Sequence, residues 1–314
     1  MLPSAIVATI PDKDPNACIL NGVQKSFCNS LLFKASKKKN TRTVSIDTLF
    51  EKARTPAALG WSWPWSKMTE LTRGIRTGET IYITGTAKIG KSDVLNTIVA
   101  HLITKHDVKC YVCKPEESNL KTVKMLAGKV VGKIFHDPNV KFDDDAYDEA
   151  TALLSGKVEL VNIYQNVEWE TLKADIIEAS VGGCKAIFID PLTVLTTGMT
   201  SADANTKLQE IAQNLSTLAL DLDVVIFIFT HLKNPSSGPA YDRGGKINVG
   251  DITGSRGMSR SCNMVLGIQG NNDPELEDDE RNLRDIVLLS DREFGGAGVQ
   301  HLWWSNKTSL FTEV

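Results

Sequence analysis

Eight residues constrain this chain more than any others. Gly85, Thr86, Ala87, Lys88, Ile89, Gly90, Lys91 and Ser92 fit GxxxxGK[ST], directly after the apolar run Thr80 to Thr84 and directly before Ser92 to Thr104, whose Leu95, Ile98, Val99 and Leu102 recur at helical spacing. A strand, a glycine-rich loop and a helix N-terminus in that order make a phosphate cradle. The glycines let backbone N–H groups close on the β- and γ-phosphates, and the helix N-terminus adds its partial positive charge. Lys91 then reaches the phosphate oxygens and the Ser92 hydroxyl ligates Mg²⁺. These residue types at this spacing point to a bound nucleoside triphosphate.

Such a loop needs a sheet around it. From about Gly60 the chain alternates continuous apolar runs with helical periodicity, the pattern of βαβ units. Expected strands are Thr80 to Thr84, Lys109 to Cys113, Leu160 to Tyr164, Ala186 to Ile189 and Val224 to Phe229, all suited to burial on both faces. Trp169 to Ala179 is an expected helix among them. After Asn263 only strands are expected: Met264 to Ile268, Asp285 to Leu289 and His301 to Trp304, joined by turns and the acidic loop Asp273 to Glu280. The fold class is α/β with a mainly parallel central sheet.

Composition narrows the function. At 314 residues, 42% hydrophobic and 23% charged, the chain is an ordinary globular one, and no run approaches the roughly 20 apolar residues that span a bilayer. A net charge of −3 means that nucleic acid is held by local basic loops rather than by a bulk positive field. The six cysteines are too scattered for a disulfide framework, which points to a reducing, cytoplasmic compartment. Cys110 and Cys113 spell CxxC, but three apart on a strand they face opposite ways, so neither zinc nor redox chemistry is expected.

Two further segments carry acids where a phosphate site needs them. Ala186 to Asp190 is an apolar strand ending in a carboxylate, the form of a second Mg²⁺-holding motif. Lys109 to Cys113 runs into Lys114-Pro-Glu-Glu117, placing Glu116 and Glu117 at the C-terminal end of a strand, where one of them can orient and deprotonate an attacking water. The segment from Lys233 to Gly250 carries Lys233, Asn234, Arg243 and Lys246, and Thr196 to Asn205 forms a second candidate loop. Trp61, Trp63 and Trp65 alternate on one side of an extended segment, as a lid over the sheet edge.

Several strings resemble, in order and spacing, the helicase domain of the phage bifunctional primase-helicases, shared with Twinkle and DnaB. They are the phosphate loop, Pro115 to Ser118, Val225 to Pro235 with its His231-Leu-Lys-Asn-Pro, Asp251 to Ser255, and Leu289 to Gly295. Ile10 to Gly22 likewise resembles the closing segment of the primase TOPRIM fold, so the chain is expected to begin inside that half. The resemblance implies a RecA-like domain over residues 60–314, a residual TOPRIM-like tail over 1–22, and a linker with a docking helix over 23–59. No primase activity is expected. That linker holds a basic cluster at Lys37, Lys38, Lys39 and Arg42 and an apolar stripe, Ile46, Leu49, Phe50 and Ala53.

The resemblance also implies roles. Lys91 and Ser92 are the phosphate and Mg²⁺ residues, Asp190 the second Mg²⁺ residue, Glu116 the catalytic base, His231 the γ-phosphate sensor, and Arg292 an arginine finger serving the neighbouring subunit. Lys233, Asn234, Arg243 and Lys246 belong to the DNA loop of the central channel, and Trp303 or Trp304 lies near the base. The implied activity is a replicative helicase: a ring, six subunits being usual, driven by ATP or dTTP with Mg²⁺, moving 5′ to 3′ on single-stranded DNA. A primase and a replicative polymerase are implied partners, and a RecA-like recombinase without unwinding is the alternative. Departures are Lys88 where the family has Gly, Gly270 where many relatives carry an arginine (with Arg281 or Arg284 as substitutes), Ser290 in place of Lys, and Arg260 in place of Gln.

Overall fold

The computed structural model describes residues 6–34, 36–37, 44–162, 167–233, 235, 238–252 and 261–314. The chain forms two compact units, Met1–Ala58 and Leu59–Val314. In the first, β1 (Ile6–Val7) is followed by α1 (Pro15–Leu20), α2 (Gln24–Phe33), β2 (Ser36–Lys37) and α3 (Phe50–Ala53), and β1 pairs antiparallel with β2. Helix α1 starts where it does because the Asp14 carboxylate accepts the Ala17 N–H at 2.7 Å and Pro15 needs no partner at the first helical position. The expected helix over 45–53 is instead a 3₁₀ turn, Ile46–Thr48, leading into the single turn of α3. Its Ile46, Leu49 and Phe50 are all exposed. Lys38, Lys39 and Arg42 of the basic cluster lie outside the described residues.

The second unit is built on one sheet. Its elements are α4 (Ser66–Thr72), β3 (Thr80–Gly85), α5 (Lys91–His106), β4 (Cys110–Cys113), α6 (Asn119–Val131), α7 (Asp144–Leu154) and β5 (Val158–Leu160). Then come α8 (Trp169–Val181), β6 (Ala186–Ile189), α9 (Ser201–Leu222), β7 (Val225–Thr230) and β8 (Met264–Gly270). The chain closes with α10 (Asp278–Arg281), β9 (Leu283–Asp291), β10 (Gly298–Trp304) and β11 (Phe311–Glu313). The strand order is β11-β10-β9-β8-β3-β7-β6-β4-β5. From β8 through β5 every neighbouring pair is parallel, and β9, β10 and β11 extend the sheet antiparallel.

Continuous apolar strands are explained by burial on both faces. One face packs Ile81, Ile83, Val112, Phe188 and Phe227 against Leu95, Ile98, Val99 and Leu102 of α5. The other packs Tyr82, Ile187, Ile189 and Ile226 against Leu172 and Ile176 of α8 and Leu208, Ile211 and Leu215 of α9. Cys110 belongs to the first face and Cys113 to the second, as the strand pleat requires. Trp63 and Trp65 do not lid a sheet edge. Trp63 meets Phe227 of the inner strand β7 edge-on at 6.0 Å, and Trp65 meets Phe311 at 6.1 Å, so both are core residues.

Three other expectations need correcting. The strand expected over 160–164 runs over Val158–Leu160, and residues 163–166 lie outside the described set. The expected loop from Thr196 to Asn205 is a loop only to Thr200, where the threonine hydroxyl accepts the Asp203 N–H and starts α9. That Thr-x-x-Asp cap was readable as a helix start. The acidic segment from Asp273 to Glu280 contains the first three residues of α10, whose acids sit in its first turn, where the helix dipole favours them.

Candidate nucleotide-binding site

Sheet order brings together residues far apart in sequence. The chain leaves β3 for β4, three places away, and β6 and β7 then fill the gap. The C-terminal ends of β3, β7, β6 and β4 therefore lie side by side, where open α/β sheets bind ligands. There they deliver the phosphate loop, His231, Asp190 and Lys114 to Glu117 around a cavity of about 410 Å³.

The phosphate loop takes its shape from two left-handed residues, Gly90 at φ 103° and Lys88 at φ 62°. For Gly90 this conformation is free; for Lys88, standing where relatives have glycine, it costs about 1 kcal/mol. The Lys91 amine donates to the carbonyls of Gly85 at 2.9 Å and Thr86 at 2.8 Å. Burial pulls its pKa below the ordinary lysine value, against the opposing pull of Asp190 and Glu116. The Ser92 hydroxyl donates to Asp190 Oδ2 at 3.2 Å, which puts the two expected Mg²⁺ residues in contact.

Asp190 is almost wholly enclosed. Burial raises its pKa, while Lys114, Lys91, the Ser92 hydroxyl and His231 pull it back down. A buried carboxylate beside a hydroxyl is a hard, all-oxygen donor set, and it fits a Mg²⁺ ion that keeps most of its waters. Among the described residues no cluster of three or more His, Cys, Asp or Glu side chains forms a protein cage for a metal. Half-buried His231 also lines the cavity, and burial with nearby Lys91 lowers its pKa, so its imidazole is neutral at pH 7.

Geometry separates the two neighbouring glutamates. Glu117 accepts from the buried Lys114 amine at 2.5 Å and the Thr122 hydroxyl at 3.0 Å, and pairs with Lys121 at 3.3 Å. Burial works against its charge, yet these partners hold its carboxyl below the usual range. Glu116 is exposed, lines the same cavity, and enters no ion pair among the described residues. It has the uncommitted lone pairs. Lys114 and Lys121 are site residues that sequence reasoning missed, although a lysine directly after the apolar strand Cys110–Cys113 was the available signal.

Other expected residues lie elsewhere. Arg292 is exposed; its N–H donates at 2.8 Å to the carbonyl of Asn263, whose side-chain oxygen accepts the Thr80 N–H at 3.0 Å. Arg292 thus stands beside the start of β3, and six-residue β3 carries the phosphate loop at its other end, roughly 17 Å away at ~3.3 Å per residue. Lys233 and Lys246 are exposed, and Arg243 forms an ion pair with Asp273. Asn234 and Arg260 lie outside the described residues, and Ser290 is exposed at the end of β9. Neither Trp303 nor Trp304 lines the cavity; Phe311 lies nearer, its Cζ 3.7 Å from where a Cβ on Gly90 would stand. Arg284 reaches the phosphate loop, whereas Arg281 pairs with Asp278.

The sequence profile described as "DnaB-like helicase C terminal domain" matches residues 60–313. A protein named "DNA helicase/primase" from Enterobacteria phage T3 is 24% identical over 307 residues, covering 93% of this chain and 53% of its own length. The chain therefore spans about half of that relative. Among solved structures, one described as an isolated ATPase domain superposes with a TM-score of 0.71 at 15% identity, covering 87% of this chain and 99% of that one. A DnaB-like replicative helicase, from a structure describing its interactions with primase, gives 0.71 at 13% identity, covering 95% of this chain and 73% of that one. At these identities the two structures establish the α/β fold with its mostly parallel sheet, the RecA-like ATPase architecture.

Proposed function

We propose, from the premise that the chain belongs to the family of DnaB-like helicase C-terminal domains, that it is the motor of a replicative DNA helicase: a ring that hydrolyses nucleoside triphosphate to move 5′ to 3′ along single-stranded DNA and unwind the duplex. The observation that supports this most is the separation of Arg292 from its own phosphate loop. Lys91, Ser92, Asp190, Glu116 and His231 surround one cavity. Arg292, exposed at the opposite end of β3, is suited to a neighbour's cavity.

In this reading Lys91 and the backbone N–H groups of the loop hold the β- and γ-phosphates. Ser92 and Asp190 hold Mg²⁺, which when bound neutralises charge on those oxygens. Glu116 accepts a proton from the attacking water as the β–γ bridge breaks, and His231 reports the γ-phosphate to the loop that follows it. Arg292 of the adjacent subunit stabilises the charge spread over the γ-oxygens. Lys233 and Lys246, with Asn234, track phosphates of the strand in the channel, and Arg243 holds the base of that loop. Exposed Ile46, Leu49 and Phe50 suit docking on another subunit. Residues 1–22 stand as the tail of a TOPRIM-like primase half. A primase and a polymerase are the proposed partners.

Strand displacement on forked duplexes tests the reading directly. Release should require a 5′ single-stranded tail, triphosphate and Mg²⁺. Strand exchange without displacement would instead identify a recombinase.

A further inference from the structure

Gly270 and Arg284 face each other across the β8–β9 ladder. A Cβ on Gly270 would lie 2.9 Å from Arg284 Cδ and 3.0 Å from Ile89 Cδ1, so the space that a side chain needs there is already taken. The Arg284 side chain crosses the glycine and ends on the phosphate loop. Its Nε donates to the Ile89 carbonyl at 2.9 Å, its Nη1 to the Leu283 carbonyl at 2.7 Å, and its Nη2 to Asn272 Oδ1 at 3.0 Å. Asn272 in turn directs its Nδ2 at the carbonyl of Lys88, 3.4 Å away.

Asn272 also faces the other way. Its backbone N–H donates to the Asp242 carbonyl at 2.7 Å. On one side of it Asn271 bridges Arg243, and on the other the Asp273 carboxylate pairs with the Arg243 guanidinium. Three consecutive residues thus grip the segment that leads to Lys246. The middle one, with Arg284, holds the phosphate loop as well.

Peptide planarity makes this grip consequential. The carbonyl of Lys88 shares a rigid plane with the N–H of Ile89, and the carbonyl of Ile89 with the N–H of Gly90. Whatever fixes those two oxygens fixes the orientation of two N–H groups of the phosphate cradle. Lys88 sits in a left-handed conformation, which persists only where surrounding contacts over-determine it.

We propose that Asn272 and Arg284 form a positioning joint between the phosphate loop and the Lys233 to Gly250 loop of the same subunit, so that strand binding at one changes nucleotide affinity at the other. The proposal rests on that loop being the DNA-binding one. Movement of Asp242 and Arg243 on strand binding shifts Asn272, and through Asn272 and Arg284 it turns the two peptide planes. His231 at the cavity wall is a separate route, since it follows β7 and touches neither residue of the joint.

The test is the ratio of nucleotide dissociation constants without and with a thymidine oligonucleotide, measured on the full chain with a fluorescent N-methylanthraniloyl-ATP. The wild-type ratio should differ from one by about fivefold or more, the usual scale of coupling between sites. In Asn272→Ala, in Arg284→Gln and in the double variant it should fall to within about twofold of one, the double no further than the singles. Asn272 is partly exposed, so its truncation spares the core. A merely supporting role would scale both constants together and leave the ratio intact. Such an unchanged ratio, or a wild-type ratio of one, overturns the joint. Lys246→Ala separates the two readings: undiminished oligonucleotide binding by this variant and by Lys233→Ala would refute the DNA loop itself, whatever the ratios show.

Discussion

At the C-terminal ends of β3, β4, β6 and β7 the chain gathers charge and buries much of it, whereas at the N-terminal end of β3 it leaves Arg292 in solvent. Lys91 and Lys114 are nearly enclosed, and Asp190 is held ionised against its burial by the cations around it. Such a group is pre-organised before substrate arrives, which is what electrostatic stabilisation of a transition state requires. An exposed arginine has no such preparation and acts only where a second surface desolvates it. One end of the strand is a finished half-site; the other is a donor that needs a neighbour.

Mixing variants is the sharpest way to break that contrast. Lys91→Ala should reduce hydrolysis to background, and Arg292→Ala should lower it by about 10³ or more with little loss of nucleotide affinity. Rings mixed from the two dead proteins contain some interfaces with an intact Lys91 cavity and an intact Arg292 donor. Partial turnover should return there. Silence from rings shown to be mixed would mean that Arg292 does not act between subunits.

Within the buried half, the glutamate pair offers a finer cut. Glu116→Gln should bind nucleotide and DNA yet hydrolyse about 10² to 10⁴ times more slowly, because an amide cannot accept the water's proton. Glu117→Gln should cost thermal stability more than turnover, since it breaks the pairing with Lys114 and Lys121. Single-turnover rates and melting curves for both variants decide it, and the reverse result would move the base to Glu117.

A smaller effect is expected at the DNA loop. Lys246→Ala should weaken single-strand binding about equally on all sequences and flatten the slope of log K against log salt by about 0.7, one phosphate contact. Anisotropy titrations on several oligonucleotides at a series of salt concentrations would measure it. Dependence on one sequence context would speak for base readout.

The smallest expected effect compares the two ends of α5. Its first residue is Lys91; near its other end His101 and His106 both approach the Ser62 hydroxyl, at 3.0 and 2.8 Å. Burial, reinforced by His106, lowers the His101 pKa from 6.5 to about 4. The fold therefore favours the neutral ring, so its contribution is complete above about pH 6.5 and is lost as pH falls toward 4. Calorimetry between pH 7 and 5 should show the melting temperature dropping by a few degrees, and His101→Gln should flatten that slope. An equal slope in the variant would place the titrating group elsewhere.

Much of this was legible in sequence wherever the determining contacts are local. The phosphate loop is eight contiguous residues whose spacing alone sets a strand, a turn and a helix N-terminus, and the strand Ala186 to Ile189 ends on Asp190 by pattern. The CxxC is inert for a local reason too, the alternation of a strand. Elements without long periodicity were misjudged. The Ile46 to Ala53 segment is too short to sustain a helix alone, and the Thr200 cap was passed over as loop.

Only tertiary structure decided which groups within the site are free to act. Glu116 and Glu117 are indistinguishable as residue types, and what divides them is a lysine on the same turn together with burial that sequence does not record. The tryptophans read as an edge lid became core because their partners, Phe227 and Phe311, arrive from strands far along the chain. Arg284 reaches the phosphate loop only because β8 and β9 align it over Gly270, and Arg292 is kept from that loop because the same ladder ends it beside Thr80. Local geometry is fixed by sterics over a few residues. The order and register of strands are fixed by burial summed over the whole sheet, and they decide which distant charges meet.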